Sequence, residues 1–290
     1  MNFSAVFSDF KQLTKVGLSL SVVFSSLAGY LLAADTIQIS ILILLAVGGY
    51  LMVGASNAFN QIIEKDIDAL MKRTMNRPLP AGRIHVSMAL VIAVSFTILG
   101  LAILYSINPK SALFGAISIF LYTSVYTPLK TITPLAVFVG AIPGAIPFML
   151  GWVAATDDFS IEPGILFLIQ FFWQFPHFWA IAWLQFDEYK KAGINLMPMG
   201  QKNKKAVVQI IIYTICLIIV SVIPVLKVTG NFYIYPFTAL IIAFLGGIML
   251  FYAVKLYKHQ TSKEARQLML SSVFYITLVQ IIYVVDKFLH

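Results

Sequence analysis

The sequence predicts an all-α, polytopic membrane protein with about nine transmembrane helices. Three observations carry that reading. The chain of 290 residues is 60% hydrophobic and 11% charged, with a mean hydropathy of +0.89. A soluble domain carries about 25% charge, so lipid must be the solvent for much of this surface. The apolar residues gather into runs near the roughly 20 residues that a helix needs to cross a bilayer core. The basic residues fall in alternate loops.

Taken in order, the spans are expected at 15–34, 38–60, 86–107, 111–127, 133–155, 163–185, 206–226, 232–254 and 269–287. Ahead of them, "MNFSAVFSDFKQLTKVG" lacks the basic start, short apolar core and small-residue site of a cleavable signal peptide, so none is expected. Short polar loops join the runs, with no soluble domain and no low-complexity linker. Residues 1–290 therefore read as a single integral-membrane domain. The one cysteine, Cys216, lies in the seventh run and can form no intramolecular disulfide.

The net charge of +8 would suggest nucleic acid on a soluble protein. Here it reads as topology. Threading nine spans puts seventeen of the 20 Lys and Arg residues on one side and leaves Lys110, Lys227 and Lys287 on the other. That split predicts a cytoplasmic N-terminus and an external C-terminus. The two long polar loops, 61–85 and 187–205, then share the cytoplasmic face.

Asn60, Glu64 and Asp68 follow the second span at i, i+4 and i+8. On a helix they lie within an arc of about 80°, rising about 6 Å per step, while Asp66 points about 160° from Glu64. Two carboxylates and an amide on one face at a membrane boundary suit Mg²⁺, which takes oxygen ligands from one or two carboxylates plus substrate phosphates. The plainer alternative is a helix that leaves the membrane and begins to carry solvated charge. Downstream, Arg73 and Arg77, with Lys72 and Arg83 nearby, offer bidentate donors to anionic oxygens. The positive-inside rule alone also asks for bases here. Pro78 and Pro80 hold this loop out of helix.

The fourth span ends in "YTSVYTPLK". Tyr122 and Tyr126 are placed to line a cavity or to anchor at the interface, and Lys130 sits at the cytoplasmic edge. The fifth carries "GAIPGAIPFMLGW", where Gly140 and Gly144 make a small-xxx-small packing face and Pro143 and Pro147 are expected to bend the helix. The sixth closes with "FFWQFPHFWAIAWLQFDEYKKAGINLMP". His177, with Trp173 at i−4 and Gln174 at i−3, is an ionisable group at membrane depth. Its alternative is a neutral histidine hydrogen-bonded in the bundle. Glu188 lies eleven residues on, about 20° from His177 on a continuous helix, and Asp187 about 80° away. Pro176 is expected to kink or loosen this helix beside a cavity.

Together these residues resemble the UbiA-type intramembrane prenyltransferases. The N-x-x-x-D-x-x-x-D pattern of that superfamily matches Asn60, Glu64 and Asp68, with glutamate in the middle place, and "YTPLK" supplies the lysine as Lys130. Within the superfamily the resemblance is to the branch that prenylates haem. It is carried by "DIDALMKRTMNRPLP", "GAIPFMLGW" and above all "WQFPHFWAIAWLQFDEYKKAGINLMP". The resemblance implies nine helices around a central cavity, with two acidic motifs binding Mg²⁺–diphosphate. The second motif departs from the pattern: Asp187 is followed at i+4 by Lys191, and Glu188 by Ala192. Which of the two acids holds metal stays open.

The resemblance further implies farnesyl diphosphate and haem b as substrates, with haem O and diphosphate as products. Asn60, Glu64, Asp68 and Asp187 or Glu188 would hold Mg²⁺. Arg73, Arg77 and Lys130 would bind the diphosphate. The faces of Tyr122, Tyr126 or Trp173 would stabilise an allylic cation. His177, Trp173 and Gln174 would form the acceptor pocket, with His177 on the haem iron or a propionate. The implied partners are the lipid bilayer, a bacterial cytoplasmic (inner) membrane, and a haem A synthase or the terminal-oxidase assembly machinery; nucleic acid is not among them. The rivals are a prenyltransferase for a quinone-precursor aromatic, a membrane transporter and a non-catalytic assembly factor. Acids at one membrane face, not at the midplane, argue against transport.

Overall fold

The structure is a computed structural model and describes residues 3–290. Among these residues it is helix, turn and loop without strands. A first helix, α1 (Phe3–Thr14), ends at Lys15, whose φ of 46° and ψ of 58° redirect the chain into α2 (Val16–Ala33). Then come α3 (Ile39–Ile63), the short α4 (Lys65–Ala69) and α5 (Val86–Ile107). Helix α6 (Pro109–Phe120) starts from a cap in which the Asn108 side chain accepts the Ser111 N–H at 2.7 Å, with Pro109 pre-set for the first turn. A π-helical stretch, Leu121–Tyr126, and α7 (Thr127–Leu129) complete that span. The remainder is α8 (Ala136–Thr156), α9 (Ile161–Leu184), α10 (Phe186–Lys191), α11 (Lys204–Val222), α12 (Pro236–His259) and α13 (Ser262–Leu289).

Among the described residues, nine helices are long and apolar enough to cross a bilayer. Seven spans lie within about three residues of the sequence expectation. The last two differ. Helix α12 is shifted to 236–259, because Pro236 occupies its first turn and fixes where it starts. Helix α13 begins at Ser262, seven residues early. Its first turns carry Lys263, Glu264 and Arg266, and a helix satisfies its own backbone whether or not lipid surrounds it.

Helices α8 and α9 are the most buried spans. They pack on each other, with α2 against α8 and with α11 and α13 against α9; α13 also meets α2. Helices α5 and α6 are mostly exposed and turn Leu90, Val91, Ile98, Leu99, Leu113 and Phe120 outward. Such a surface would aggregate in water, and a bilayer covers it. Helices α8 and α9 run unbroken through Pro143, Pro147 and Pro176, so none of these ends its helix. The small residues of α8 act individually. A Cβ on Gly140 would lie 2.6 Å from the Tyr126 ring, and one on Gly144 would collide with the Gln174 amide. Lower on α8, Gly151 meets the α2 backbone at Ser26 and Gly29.

Candidate active site

The row of polar residues survives a break in its helix. Helix α3 ends at Ile63, and Glu64, at φ −94° and ψ 12°, joins it to α4. Yet the Glu64 N–H donates to the Asn60 carbonyl at 2.9 Å and the Asp68 N–H to the Glu64 carbonyl at 2.7 Å. The i, i+4 ladder therefore continues, and Asn60, Glu64 and Asp68 stay on one face. They are 2%, 6% and 1% exposed, while Asp66 is exposed, as the helical spacing separates them.

Each acid of the row meets a cation from another element. Lys130 Nζ donates to Glu64 Oε1 at 2.9 Å, and Arg77 Nη1 to Asp68 Oδ2 at 2.6 Å. Asn60 Nδ2 donates to Thr127 Oγ1 at 3.3 Å. The second Asp68 oxygen, Oδ1, is buried with no hydrogen-bond partner. Burial pushes the Asp68 carboxyl above its usual range, against the pull of Arg77. An orphaned, enclosed carboxylate oxygen is the donor a hard divalent cation takes, so the row fits Mg²⁺. Among the described residues no three His, Cys, Asp or Glu side chains converge on one point, so substrate oxygens would have to complete the coordination.

Local structure explains how these cations arrive. The Thr74 hydroxyl donates to the Asp68 carbonyl at 2.8 Å, folding the loop after α4 back on itself and returning Arg77 to the acids. In the π-helical stretch the Thr127 N–H reaches the Tyr122 carbonyl five residues back. Pro128, next along, has no N–H to restore the regular ladder. The stretch sets Tyr122 and Tyr126 5.3 Å apart and places the Lys130 ammonium 4.5 Å from the Tyr126 ring. The Asn195 N–H donates to the Lys130 carbonyl at 2.9 Å, drawing in the second long loop.

Other expected residues stand elsewhere. Arg73 and Lys72 are exposed. Arg83 binds Asp9 Oδ1 and the Asn76 carbonyl, each at 2.9 Å, and so ties the loop to α1. The second acidic stretch follows the end of α9. Helix α9 ends at Leu184, and Gln185, at φ −100° and ψ 13°, separates it from α10. The Gln185 N–H still donates to the Ile181 carbonyl at 2.9 Å and the Tyr189 N–H to the Gln185 carbonyl at 2.8 Å, so the i, i+4 ladder crosses this junction as it does at Glu64. Asp187 is exposed. Glu188 Oε2 accepts the Lys72 N–H at 2.9 Å and Oε1 accepts Lys191 Nζ at 3.0 Å. The Lys72 amide and the Lys191 ammonium hold the Glu188 carboxyl below its usual range. Glu188 thus clasps the two long loops together.

At membrane depth the His177 ring stacks on Trp173, with centroids 4.7 Å apart and planes at 18°. Ser272 of α13 fixes both: His177 Nδ1 lies 2.9 Å from its hydroxyl, and Trp173 Nε1 donates to its carbonyl at 2.6 Å. Nε2 is left as the other polar edge of His177. Gln174 is buried and donates to the Ala141 carbonyl at 2.9 Å, so it acts as a strut between α9 and α8. Sequence reasoning missed Ser272 and Thr127, because their partners lie 95 and 67 residues away. A serine in an apolar span was the available signal for the first.

A cavity of about 680 Å³ opens at the opposite end of the bundle, lined by Asp35, Glu162, Asp286 and Lys287 among others. Three of these side chains are taken up by backbone groups at helix ends and loops. Glu162 accepts the Asn231 N–H at 2.9 Å, Asp286 accepts the Tyr235 N–H at 3.3 Å, and Lys287 donates to the Ala34 carbonyl at 2.7 Å. The chemistry-bearing groups lie at the other face.

The family model described as the UbiA prenyltransferase family matches residues 22–279. The chain is 63% identical over 286 residues to the protoheme IX farnesyltransferase of Christiangramia forsetii, covering 99% of this chain and 95% of that one. It is 36% identical to protoheme IX farnesyltransferase 1 of Pseudomonas fluorescens, covering 98% and 95%. Among solved structures, a UbiA homolog from Archaeoglobus fulgidus bound to DMAPP and Mg²⁺ shares the fold, with a TM-score of 0.68 at 16% identity and coverage of 95% and 99%. A digeranylgeranylglyceryl phosphate synthase structure shares it at a TM-score of 0.79 and 20% identity, covering 97% and 98%.

Proposed function

The chain belongs to the UbiA prenyltransferase family, and from that membership we infer that it is a haem farnesyltransferase of the membrane. It transfers the farnesyl group of farnesyl diphosphate to a vinyl group of haem b. The C1–O bond of farnesyl diphosphate breaks and diphosphate departs. A bond forms between C1 and the terminal vinyl carbon. Water captures the resulting cation and releases a proton, which gives the hydroxyl of haem O. Residues 1–290 form one catalytic domain, with the N-terminus in the cytoplasm and the C-terminus outside a bacterial inner membrane.

The observation that carries the prenyl-transfer part of this reading is the buried Asn60–Glu64–Asp68 row, answered by Lys130 and Arg77, with one Asp68 oxygen unpartnered; the haem acceptor is supported by the likeness to protoheme IX farnesyltransferases. These three residues would hold Mg²⁺, which when bound supplies Lewis-acid activation of the diphosphate. Lys130 and Arg77 exchange their carboxylate partners for diphosphate oxygens and stabilise the charge that develops as the bond breaks. Arg73, exposed as it stands, joins them if the loop closes over substrate. The faces of Tyr122 and Tyr126 stand beside Lys130 and stabilise the allylic cation. Trp173 offers an aromatic plane to the porphyrin, and His177 offers Nε2 to iron or a propionate, while Ser272 holds the ring. Gln174 shapes the wall between them and α8.

The test is expression in membranes that lack haem O, followed by haem extraction and mass measurement. Haem carrying one farnesyl group and one hydroxyl group is the expected product. A prenylated quinone precursor in its place would move the acceptor to the aromatic class.

A further inference from the structure

We propose that Ser272 is a positioning residue for the acceptor: its hydroxyl keeps the His177 proton on Nδ1 and so commits Nε2 to the haem iron, not to a propionate. The proposal rests on the haem-acceptor reading and deepens it.

The hydrogen bonds around Ser272 fix that proton. Ser272 Oγ donates to the Met269 carbonyl at 2.7 Å, the back-bond that a serine makes within a helix. A hydroxyl has one proton to give. Toward His177 Nδ1, 2.9 Å away, Oγ is therefore the acceptor and the ring nitrogen the donor. The reverse arrangement would turn the hydroxyl proton to Nδ1 and leave Oγ facing the Met269 carbonyl lone pair against lone pair. The bond made at one imidazole nitrogen decides the state of the other. With the proton on Nδ1, Nε2 carries a bare lone pair.

Among the described residues His177 has no hydrogen bond at Nε2. An ionised propionate offers only acceptor oxygens and would meet that nitrogen lone pair against lone pair. Haem iron takes the lone pair directly. A histidine that binds a metal almost always donates its other N–H to a second group, which sets both tautomer and ring orientation. Ser272 occupies that place.

Orientation is held along with the proton. Ser272 is fully buried, and its carbonyl accepts Trp173 Nε1 at 2.6 Å. Trp173 in turn stacks on the imidazole, with planes at 18°. The serine thus grips the ring at its edge through Oγ and across its face through Trp173. A serine that only joined α13 to α9 would need one of these bonds. His177 itself is only partly buried, although it stands at membrane depth.

The test measures porphyrin binding to the full-length protein in detergent, without farnesyl diphosphate, using ferric haem b and iron-free protoporphyrin IX. The second probe keeps the vinyls and propionates and lacks the metal. Wild type is expected to bind haem the more tightly, with the absorption spectrum of a nitrogen-ligated haem. His177→Ala is expected to lower haem affinity at least about ten-fold, to leave protoporphyrin IX binding unchanged, and to regain the wild-type spectrum when imidazole is added. Ser272→Ala is expected to lower haem affinity roughly 10–100-fold and to shift the haem spectrum, again without change in protoporphyrin IX binding. Ser272→Thr keeps the hydroxyl and is expected to restore both. Should Ser272→Ala fail to fold, Ser272→Cys, close in size but a weak acceptor, carries the same expectation. Equal weakening of both porphyrins in His177→Ala overturns the iron assignment in favour of a propionate. Wild-type haem affinity and spectrum in the Ser272 variants overturn the positioning role, as does equal loss of both porphyrins, which a packing defect would give. A haem spectrum that depends on His177 and Ser272, in a protein that forms no haem O, removes the transfer reading and leaves this inference standing.

Discussion

Asp68 uses its two carboxylate oxygens differently. One oxygen holds Arg77 and the other is buried without a partner, inside surroundings that resist charge. The raised pKa sets the sign of the pH effect. Protons compete with a cation for the carboxylate, so Mg²⁺-dependent pyrophosphate binding is expected to weaken as pH falls through the raised value. The decline should begin at a higher pH than an ordinary aspartate would give, and a binding titration against pH checks it. Asp68→Asn is expected to abolish product formation with the protein still folded in the membrane. Glu64 and Lys130 behave as a buried pair. Removing one partner strands a charge, at a cost of roughly 3–5 kcal/mol. Lys130→Met is therefore expected to lower thermal stability in detergent sharply, and adding Glu64→Gln to recover most of it. Neither variant should turn over. Stability restored without activity separates the structural part of the pair from the chemical part.

Local spacings can be read from sequence across a helix break when the backbone ladder crosses it, whereas partners from distant elements cannot. The Asn60, Glu64 and Asp68 row is legible because its bonds run i to i+4 and persist through the α3–α4 junction. The ladder crosses the α9–α10 junction at Gln185 in the same way, but what Glu188 binds there, the Lys72 N–H and Lys191, is not legible from its spacing to His177. The π-helical stretch is equally silent, although it decides where Lys130 goes; Pro128 hints at it only afterwards. Long-range partners such as Ser272 cannot be found from any local pattern. At this scale Glu188 has a testable role. Glutamine retains an oxygen for the Lys72 N–H but gives up the charge that a metal needs. If Glu188 clasps the loops, Glu188→Gln is expected to keep most activity, while Glu188→Ala is expected to speed hydrogen exchange at the Lys72 amide. The lowered carboxyl pKa sets the acid limit of the clasp: its contribution is complete above the ordinary glutamate range and is lost as pH falls through the lowered value.

The whole bundle is organised so that polar chemistry has a rigid, close-packed wall behind it. In a membrane the hydrophobic effect no longer drives helix against helix, and close backbone approach takes its place. Helix α8 is the pivot. It receives α2 at Gly29 and Gly151, Tyr126 at Gly140 and Gln174 at Gly144, so one helix fixes the span that carries Tyr126, the span that carries Gln174 and His177, and the start of the bundle. A Cβ at Gly151 would meet the α2 backbone at the Ser26 carbonyl and the Tyr30 nitrogen, groups that cannot rotate away. Gly247 on α12 has nothing within 4 Å of such a Cβ, and there alanine gains helix propensity of about 1 kcal/mol. The pair makes a controlled comparison. Gly151→Ala is expected to separate α2 from α8, lowering thermal stability by roughly 1–3 kcal/mol and activity with it. Gly247→Ala is expected to be neutral or slightly stabilising. Equal behaviour of the two in thermal unfolding would mean that glycine content, not close approach at the α2–α8 seam, holds the bundle.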